Sequence, residues 1–174
     1  MKRLLMWISI PIIVIGMLVL YFFSMQNIRH ADEYKNAKNL ALSDGNFHVL
    51  AEDVFTNGPK QYVFLLGNDT GQQFWYFVYN GEIIKKVNDT NGIALEDLRN
   101  QLLSDEKLAY TDIFYAIPGT RMDDIVPEDG QPYYYPLTDS DLFWEVVGRN
   151  ARDRVQYAYL DFYTRVPIWT YELQ

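Results

Sequence analysis

The chain has 174 residues, of which 23 are acidic and 15 basic, and its net charge of −8 disfavours nucleic acid and anionic surfaces as partners. It contains no cysteine, which excludes cysteine catalysis, disulfide bonds and lipid attachment of the bacterial lipoprotein kind. With 14 tyrosines, 10 phenylalanines and 4 tryptophans, the composition favours β structure with a substantial hydrophobic core.

The N-terminal segment predicts a membrane anchor. Residues 4–23 carry no charged side chain and follow directly after Lys2 and Arg3. A helix of about twenty residues spans the roughly 30 Å hydrocarbon core of a bilayer, and flanking positive charges favour the cytoplasmic side. A cleaved signal peptide is the alternative, but its apolar region is shorter and ends at small residues. We therefore expect residues 1–23 to form a transmembrane helix with a short cytoplasmic end, and the C-terminal domain to be extracellular at the cell membrane.

The segment after the anchor predicts one helix and several strands. Residues 26–42 repeat apolar side chains at helical spacing, and Gly45 is suited to end that helix. The Asn80-Gly81 pair between two apolar runs predicts a hairpin turn. Alternating and aromatic runs predict strands over residues 47–55, 61–67, 73–79 and 82–87. These elements form the predicted first unit, residues 24–88.

The same order of elements recurs in the predicted second unit, residues 89–174. Leu95, Leu98 and Leu102 are spaced as one face of an amphipathic helix. Strands are predicted over residues 107–117, 141–148, 154–162 and 166–173. Two tryptophans, one in each unit, are predicted to be buried in central strands: Trp75 and Trp144.

A long loop, residues 118–140, interrupts the second unit and holds the candidate partner-binding residues. Loops of this length without periodicity are typical of functional or disordered segments. Tyr133, Tyr134 and Tyr135 stand between two prolines, and tyrosine is favoured at protein interfaces. The alternative is that these tyrosines cover an edge or face of the second sheet.

Two motifs near the C-terminus resemble a known module. The sequences FWEV at residues 143–146 and AYLDFYTRV at residues 158–166 resemble the W-E-V … Y-x-D-x-x-T-G tail of PepSY-type modules. The layout of the whole chain is similar to the TseB-like (YpmB-like) family of Firmicutes, in which an N-terminal anchor precedes tandem PepSY-like domains. Arg165 stands where the pattern has glycine, so the last turn is expected to differ from the tight left-handed turn that glycine allows.

The resemblance implies both a fold and a function. The implied fold is α+β, with the N-terminal transmembrane helix followed by two tandem PepSY-like units, each a helix with a small antiparallel sheet. Family members are described as regulators of cell-wall elongation that act on a penicillin-binding transpeptidase and have no catalysis of their own. The chain is thus expected to be a membrane-anchored extracytoplasmic interaction protein whose partner is a penicillin-binding protein. PepSY modules also occur in protease propeptides, so an inhibitor or folding assistant of a secreted peptidase is the alternative.

The residues give no signature of an enzyme, a metal site or a cofactor site. The two histidines, His30 and His48, have no partner spacing that resembles a metal-binding motif. The sequence also lacks the glycine patterns that hold phosphates or expose a nucleophilic serine. We therefore expect a protein that is not an enzyme, with no catalytic residue, no metal and no cofactor.

Several carboxylates have plainer interpretations than catalysis or metal binding. Four acids of the long loop do not follow the EF-hand order and favour a solvated acidic loop: Asp123, Asp124, Glu128 and Asp129. Glu145 is predicted to lie on the solvent-exposed face of its strand. Asp161 is predicted to accept hydrogen bonds from turn amides at a strand end.

Overall fold

The computed structural model describes Met17 and residues 29–56, 58–89, 95–122 and 141–173. A first helix, α1, covers residues 29–42, and it is followed by eight strands and a second helix. Their bounds are β1 (His48–Phe55), β2 (Gln61–Gly67), β3 (Gln73–Tyr79), β4 (Glu82–Asn88), α2 (Leu95–Ser104), β5 (Tyr110–Thr120), β6 (Leu142–Asn150), β7 (Val155–Asp161) and β8 (Pro167–Glu172). The strands form two antiparallel sheets in chain order, β1 to β4 and β5 to β8.

The eight predicted strands are confirmed, with differences of a few residues at their ends. The predicted hairpin turn is also confirmed, because Tyr79 pairs with Glu82 across the two residues between them. Asn80 and Gly81 both have positive φ, 48° and 80°, which is the backbone that the tight hairpin turn requires.

The first sheet is covered on both faces, which explains why every residue of β2 is buried. One face packs against α1 through Ala37 and Ala41. The small side chains of these two residues let the helix lie close to a layer of large residues: Tyr62, Phe64, Leu66, Tyr76 and Val78. The apolar residues that alternate with them point to the other face and need a second cover.

The second sheet supplies that cover, so the two sheets share one core. Trp75 meets Trp144 edge to face with ring centroids 5.5 Å apart. Phe55 meets Phe143 in the same manner, also at 5.5 Å. The helix α2 packs against the same core, and its residue Leu98 is buried there. The prediction that both tryptophans are buried is confirmed.

A buried glutamine joins the sheets by hydrogen bonds. Gln61 Nε2 donates to the carbonyl oxygen of Thr120 at 2.7 Å, and the Thr120 amide donates to Gln61 Oε1 at 3.1 Å. The side chain therefore satisfies both backbone groups of a residue that is itself buried. Lys85 and Asp141 add an ion pair between the sheets at 2.7 Å.

The predicted fold class is wrong. It expected two helix-plus-small-sheet units behind a transmembrane helix, whereas the described chain is dominated by two four-stranded sheets. The physical reason is that the aromatic strands carry large side chains on both faces, and one helix covers only one of them. The remaining face packs on the other sheet, so the two sheets share one core.

Two other predictions fall wholly or partly outside the described residues. The predicted membrane anchor, residues 1–23, lies outside them except for Met17. In the part of the chain that the structure describes, no helix combines the length and the apolar character needed to cross a membrane. The predicted loop begins later than expected, because residues 118–120 belong to β5. Residues 123–140 of that loop lie outside the described residues. The predicted unit boundaries at residues 88 and 89 stay a prediction.

Candidate interaction surface

The second sheet carries a row of tyrosines and a tryptophan on one face. Residues directly opposite each other on neighbouring antiparallel strands share a face of the sheet. Glu145 on β6 lies opposite Tyr159 on β7, which lies opposite Trp169 on β8. In the next row Tyr157 lies opposite Tyr171, and Val147 pairs with both Tyr157 and Tyr115. We call the surface formed by Tyr115, Glu145, Tyr157, Tyr159, Trp169 and Tyr171 the aromatic face.

The rings of the aromatic face stack across the strands. Tyr157 and Tyr171 are stacked with centroids 4.7 Å apart and planes 8° apart. Tyr159 and Trp169 are stacked at 5.8 Å and 15°. Trp169 and Tyr171 lie next to each other on β8 with centroids 5.0 Å apart. Because β8 is the last strand of the sheet, Trp169 is 48% exposed despite these contacts.

A buried carboxylate lies behind the rings. Glu145 is only 2% exposed. Tyr115 donates its hydroxyl hydrogen to Glu145 Oε1 at 2.8 Å, and Tyr159 donates to Oε2 at 2.7 Å. Burying an ionised carboxylate is unfavourable unless hydrogen bonds replace its water, and the two phenols provide them. The prediction that Glu145 faces solvent is wrong, because the aromatic neighbours enclose its side of the strand.

The same contacts shift the acidity of the two phenols. Burial, followed by the hydrogen bond to Glu145, raises the pKa of Tyr115 and of Tyr159 above that of a free tyrosine. Both hydroxyls therefore keep their protons at neutral pH and remain donors to the carboxylate. The sequence contained a signal for this face, namely tyrosines at alternate positions of β7, but nothing that placed Glu145 among them.

The turn that leads from β7 to β8 is built around Asp161. Its Oδ1 accepts hydrogen bonds from the amides of Tyr163 at 3.1 Å and Thr164 at 2.7 Å, so the prediction for Asp161 is confirmed. Arg165 has a φ of 59°, and its amide donates to the Asp161 carbonyl at 2.9 Å. The turn thus keeps the left-handed backbone that glycine would allow, contrary to the expectation drawn from the missing glycine.

The remaining candidate residues are not brought to this surface. Tyr133, Tyr134 and Tyr135 lie outside the described residues, as do the four acids of the long loop. His48 begins β1, and His30 lies in the first turn of α1 as described, with its Nδ1 3.2 Å from Lys60 Nζ. Among the residues that the structure describes, no three His, Asp or Glu side chains group into a metal site.

A pocket of ≈ 320 Å³ lies between α1 and the first sheet. It is lined by polar and aromatic side chains that include Glu33, Lys60 and Tyr62. Its charged groups bind each other, because Tyr62 donates to Glu33 Oε2 at 3.2 Å and Lys60 Nζ lies 3.5 Å from the same oxygen. We therefore place the candidate interaction surface on the aromatic face, whose outer rings are exposed.

The first sheet shows how this protein places a cation on its rings. Lys86 Nζ lies 4.8 Å from the ring centroid of Phe74, 5.1 Å from that of Tyr76 and 5.6 Å from that of Phe47. Lys86 also pairs with Asp44 at 2.5 Å, and Tyr76 donates to the same carboxylate at 2.6 Å. The hydrogen bond to Lys86 holds the pKa of Asp44 below its ordinary value. One lysine of β4 thus holds the segment that connects α1 to β1, through Asp44 and Phe47.

Comparison with known proteins finds no match to this chain among protein-family models, curated proteins or solved structures. The resemblance to the TseB-like family accordingly depends on the motifs of residues 143–166 and on the order of segments along the chain.

Proposed function

We propose that this chain is a membrane-anchored, extracytoplasmic interaction protein that regulates cell-wall elongation through a penicillin-binding transpeptidase and catalyses no reaction itself. The apolar run of residues 4–23 behind Lys2 and Arg3 supports attachment to a membrane with the remaining chain outside the cytoplasm. The motifs of residues 143–166 support the choice of partner through their resemblance to a family with that role.

The observation that carries a role in interaction is the exposed outer part of the aromatic face. Tyrosine and tryptophan are enriched at protein interfaces because they offer a large contact area with a polar tip. Trp169 and Tyr115 are both exposed on this face, although the rings beside them are buried or half-buried. Trp169 is stacked on Tyr159, and Tyr115 is hydrogen-bonded to Glu145, so both side chains are held in place before a partner arrives, which lowers the entropy lost on binding.

Site-specific photocrosslinking in membranes tests the proposal. A photoreactive residue at position 169 of the full chain should crosslink to a penicillin-binding transpeptidase, which is identified by its mass and by its label with a fluorescent β-lactam. The same residue at position 50 is the matched control, because Leu50 is 45% exposed and lies in the first sheet. Crosslinks to a secreted peptidase would favour the alternative function. Crosslinks that are equal from both positions, or that include no transpeptidase, would contradict the proposal.

The three tyrosines of the long loop need a separate test. Replacing Tyr133, Tyr134 and Tyr135 by serine should weaken the transpeptidase crosslink without changing the melting temperature if they bind the partner. If the crosslink persists while the melting temperature falls, these tyrosines contribute to the fold and the aromatic face alone remains the candidate surface.

A further inference from the structure

We infer that the outer edge of β8, which pairs with no further strand among the described residues, binds an extended, basic segment of a partner protein, which adds to the second sheet as a further strand and places an arginine or lysine against Trp169 and Tyr171. This inference deepens the proposed function, on which it rests, by naming the mode of binding and the chemistry of the bound segment.

The backbone of β8 is suited to accept another strand. The Leu173 amide donates to the Val155 carbonyl oxygen at 2.9 Å, so Leu173 directs its backbone groups toward β7. In an antiparallel ladder the residues that do so alternate with residues that face away. Thr170 and Glu172 therefore direct their N–H and C=O groups away from β7, to the edge where the described part of the chain places no further strand and a strand from another chain can pair with them.

The first sheet contains a template for the side-chain contact. On β3, Phe74 and Tyr76 are two positions apart and share a face, and Lys86 on the neighbouring strand β4 lies directly opposite Tyr76. The Lys86 ammonium reaches both rings. On β8, Trp169 and Tyr171 are likewise two positions apart and share a face, but β8 is the last strand of its sheet. A strand added beyond β8 with a basic residue opposite Tyr171 would repeat the arrangement of Lys86.

The charge around these rings favours a cation over an anion. The Glu145 carboxylate lies behind the rings. Burial is the main cause that raises the pKa of Tyr171, the neighbouring Tyr157 is the second, and the charge of Glu145 is the third. Aromatic faces attract cations through their quadrupole, and a buried carboxylate is poorly screened by salt. The basic side chains of Arg152 and Arg154 are paired with Glu172, which lies on the opposite face of β8. The net charge of −8 for the whole chain also attracts a basic segment at long range.

Binding of synthetic peptides to the full chain in detergent micelles tests the inference. The probes are labelled peptides of about nine residues, long enough to pair with the whole of β8. One alternates arginine with valine, the second has glutamate in place of arginine, and the third is the arginine peptide with alternate backbone nitrogens methylated. Dissociation constants are measured by fluorescence anisotropy. We expect the arginine peptide to bind about tenfold more tightly than either of the other two.

Three variants locate the binding site. Thr170→Pro removes an outward N–H without touching the bonds to β7, since proline is tolerated on edge strands, and should weaken the arginine peptide about tenfold. Trp169→Ala should weaken it about two- to fivefold, the range of an exposed cation–π contact. Phe114→Ala is the matched control, because Phe114 is 46% exposed and lies on β5, at the opposite edge of the same sheet. It should bind like the wild type.

The following results would overturn the inference or assign the edge to another partner. If the arginine and glutamate peptides bind with equal affinity, the bound segment is not selected for its positive charge. If Thr170→Pro and Trp169→Ala both bind the arginine peptide as tightly as the wild type does, the peptide does not bind at β8. If Thr170→Pro does not fold, the methylated peptide still tests strand addition. Self-association of the wild type that Trp169→Ala abolishes, without binding of the arginine peptide, would assign the edge to a second copy of this chain. If the wild type does not bind the arginine peptide but still crosslinks to a transpeptidase from position 169, this inference is refuted and the proposed function is not. If the wild type binds the peptide but gives no transpeptidase crosslink, the proposed partner is refuted instead.

Discussion

Replacing Gln61 by leucine should weaken the junction between the two sheets. Gln61 is completely buried, and its side-chain amide pairs with both backbone groups of Thr120, 59 positions along the chain. Leucine has a similar volume, so the substitution leaves little empty space. The substitution removes both Gln61 hydrogen bonds while the Thr120 amide and carbonyl stay buried, and this is the main source of the expected loss of stability.

The magnitude follows from the two backbone groups that lose their partner. Each buried polar group left without a hydrogen bond costs about 1–3 kcal/mol, so the loss of two should lower the free energy of unfolding by about 2–6 kcal/mol. A domain of this size is stable by about 5–15 kcal/mol, and its melting temperature falls by about 2–4 °C per kcal/mol, so the loss should lower the melting temperature by roughly 4–24 °C. Such a shift is well outside the error of a thermal or urea unfolding curve.

Urea unfolding followed by tryptophan fluorescence is the suitable assay, since Trp75 and Trp144 touch across the same junction. The matched control is Gln72→Leu, which changes an exposed glutamine in the turn before β3 and should alter stability by less than about 0.5 kcal/mol. If Gln61→Leu changes stability no more than the control does, the bridge to Thr120 does not hold the sheets together. Two separate transitions in the wild type would contradict the shared core itself.

Three further predictions concern the core, a turn and pH. Trp75→Ala and Trp144→Ala should each lower the free energy of unfolding by about 3–5 kcal/mol in the same urea assay, and wild-type unfolding curves would refute the core assignment. Arg165→Gly should raise the melting temperature, by a gain of about 0.5–1 kcal/mol, because glycine adopts a positive φ without strain; a lower melting temperature would show that the arginine side chain matters more. Because folding raises the pKa of Tyr115 and Tyr159, the stability that they contribute is complete below the tyrosine pKa of about 10 and is lost as the pH rises above it. Replacing both by phenylalanine should make the unfolding free energy fall less steeply above pH 10, and an unchanged slope would refute their role.

Local features of the sequence determined the strands and turns. Aromatic and β-branched side chains favour the extended backbone of a strand, and Asn80-Gly81 tolerates the positive φ of a tight hairpin without help from distant residues. Asp161 likewise satisfies amides two and three residues ahead of it. These structures need only neighbours in the chain, and for that reason sequence patterns predicted them.

The tertiary structure alone decided which faces are covered and by what. An alternating strand has two faces, and when both carry aromatic residues the pattern does not tell which one meets a helix, a second sheet or solvent. One face of an antiparallel strand usually meets water, which predicts a solvent-exposed Glu145, yet its partners Tyr115 and Tyr159 come from other strands of the sheet and enclose it. The bridge from Gln61 to Thr120 joins residues of different sheets in the same way. Contacts of this kind depend on how the sheets pack in three dimensions. The free energy of that packing comes from residues far apart in the chain, so the pattern of a single segment does not predict it.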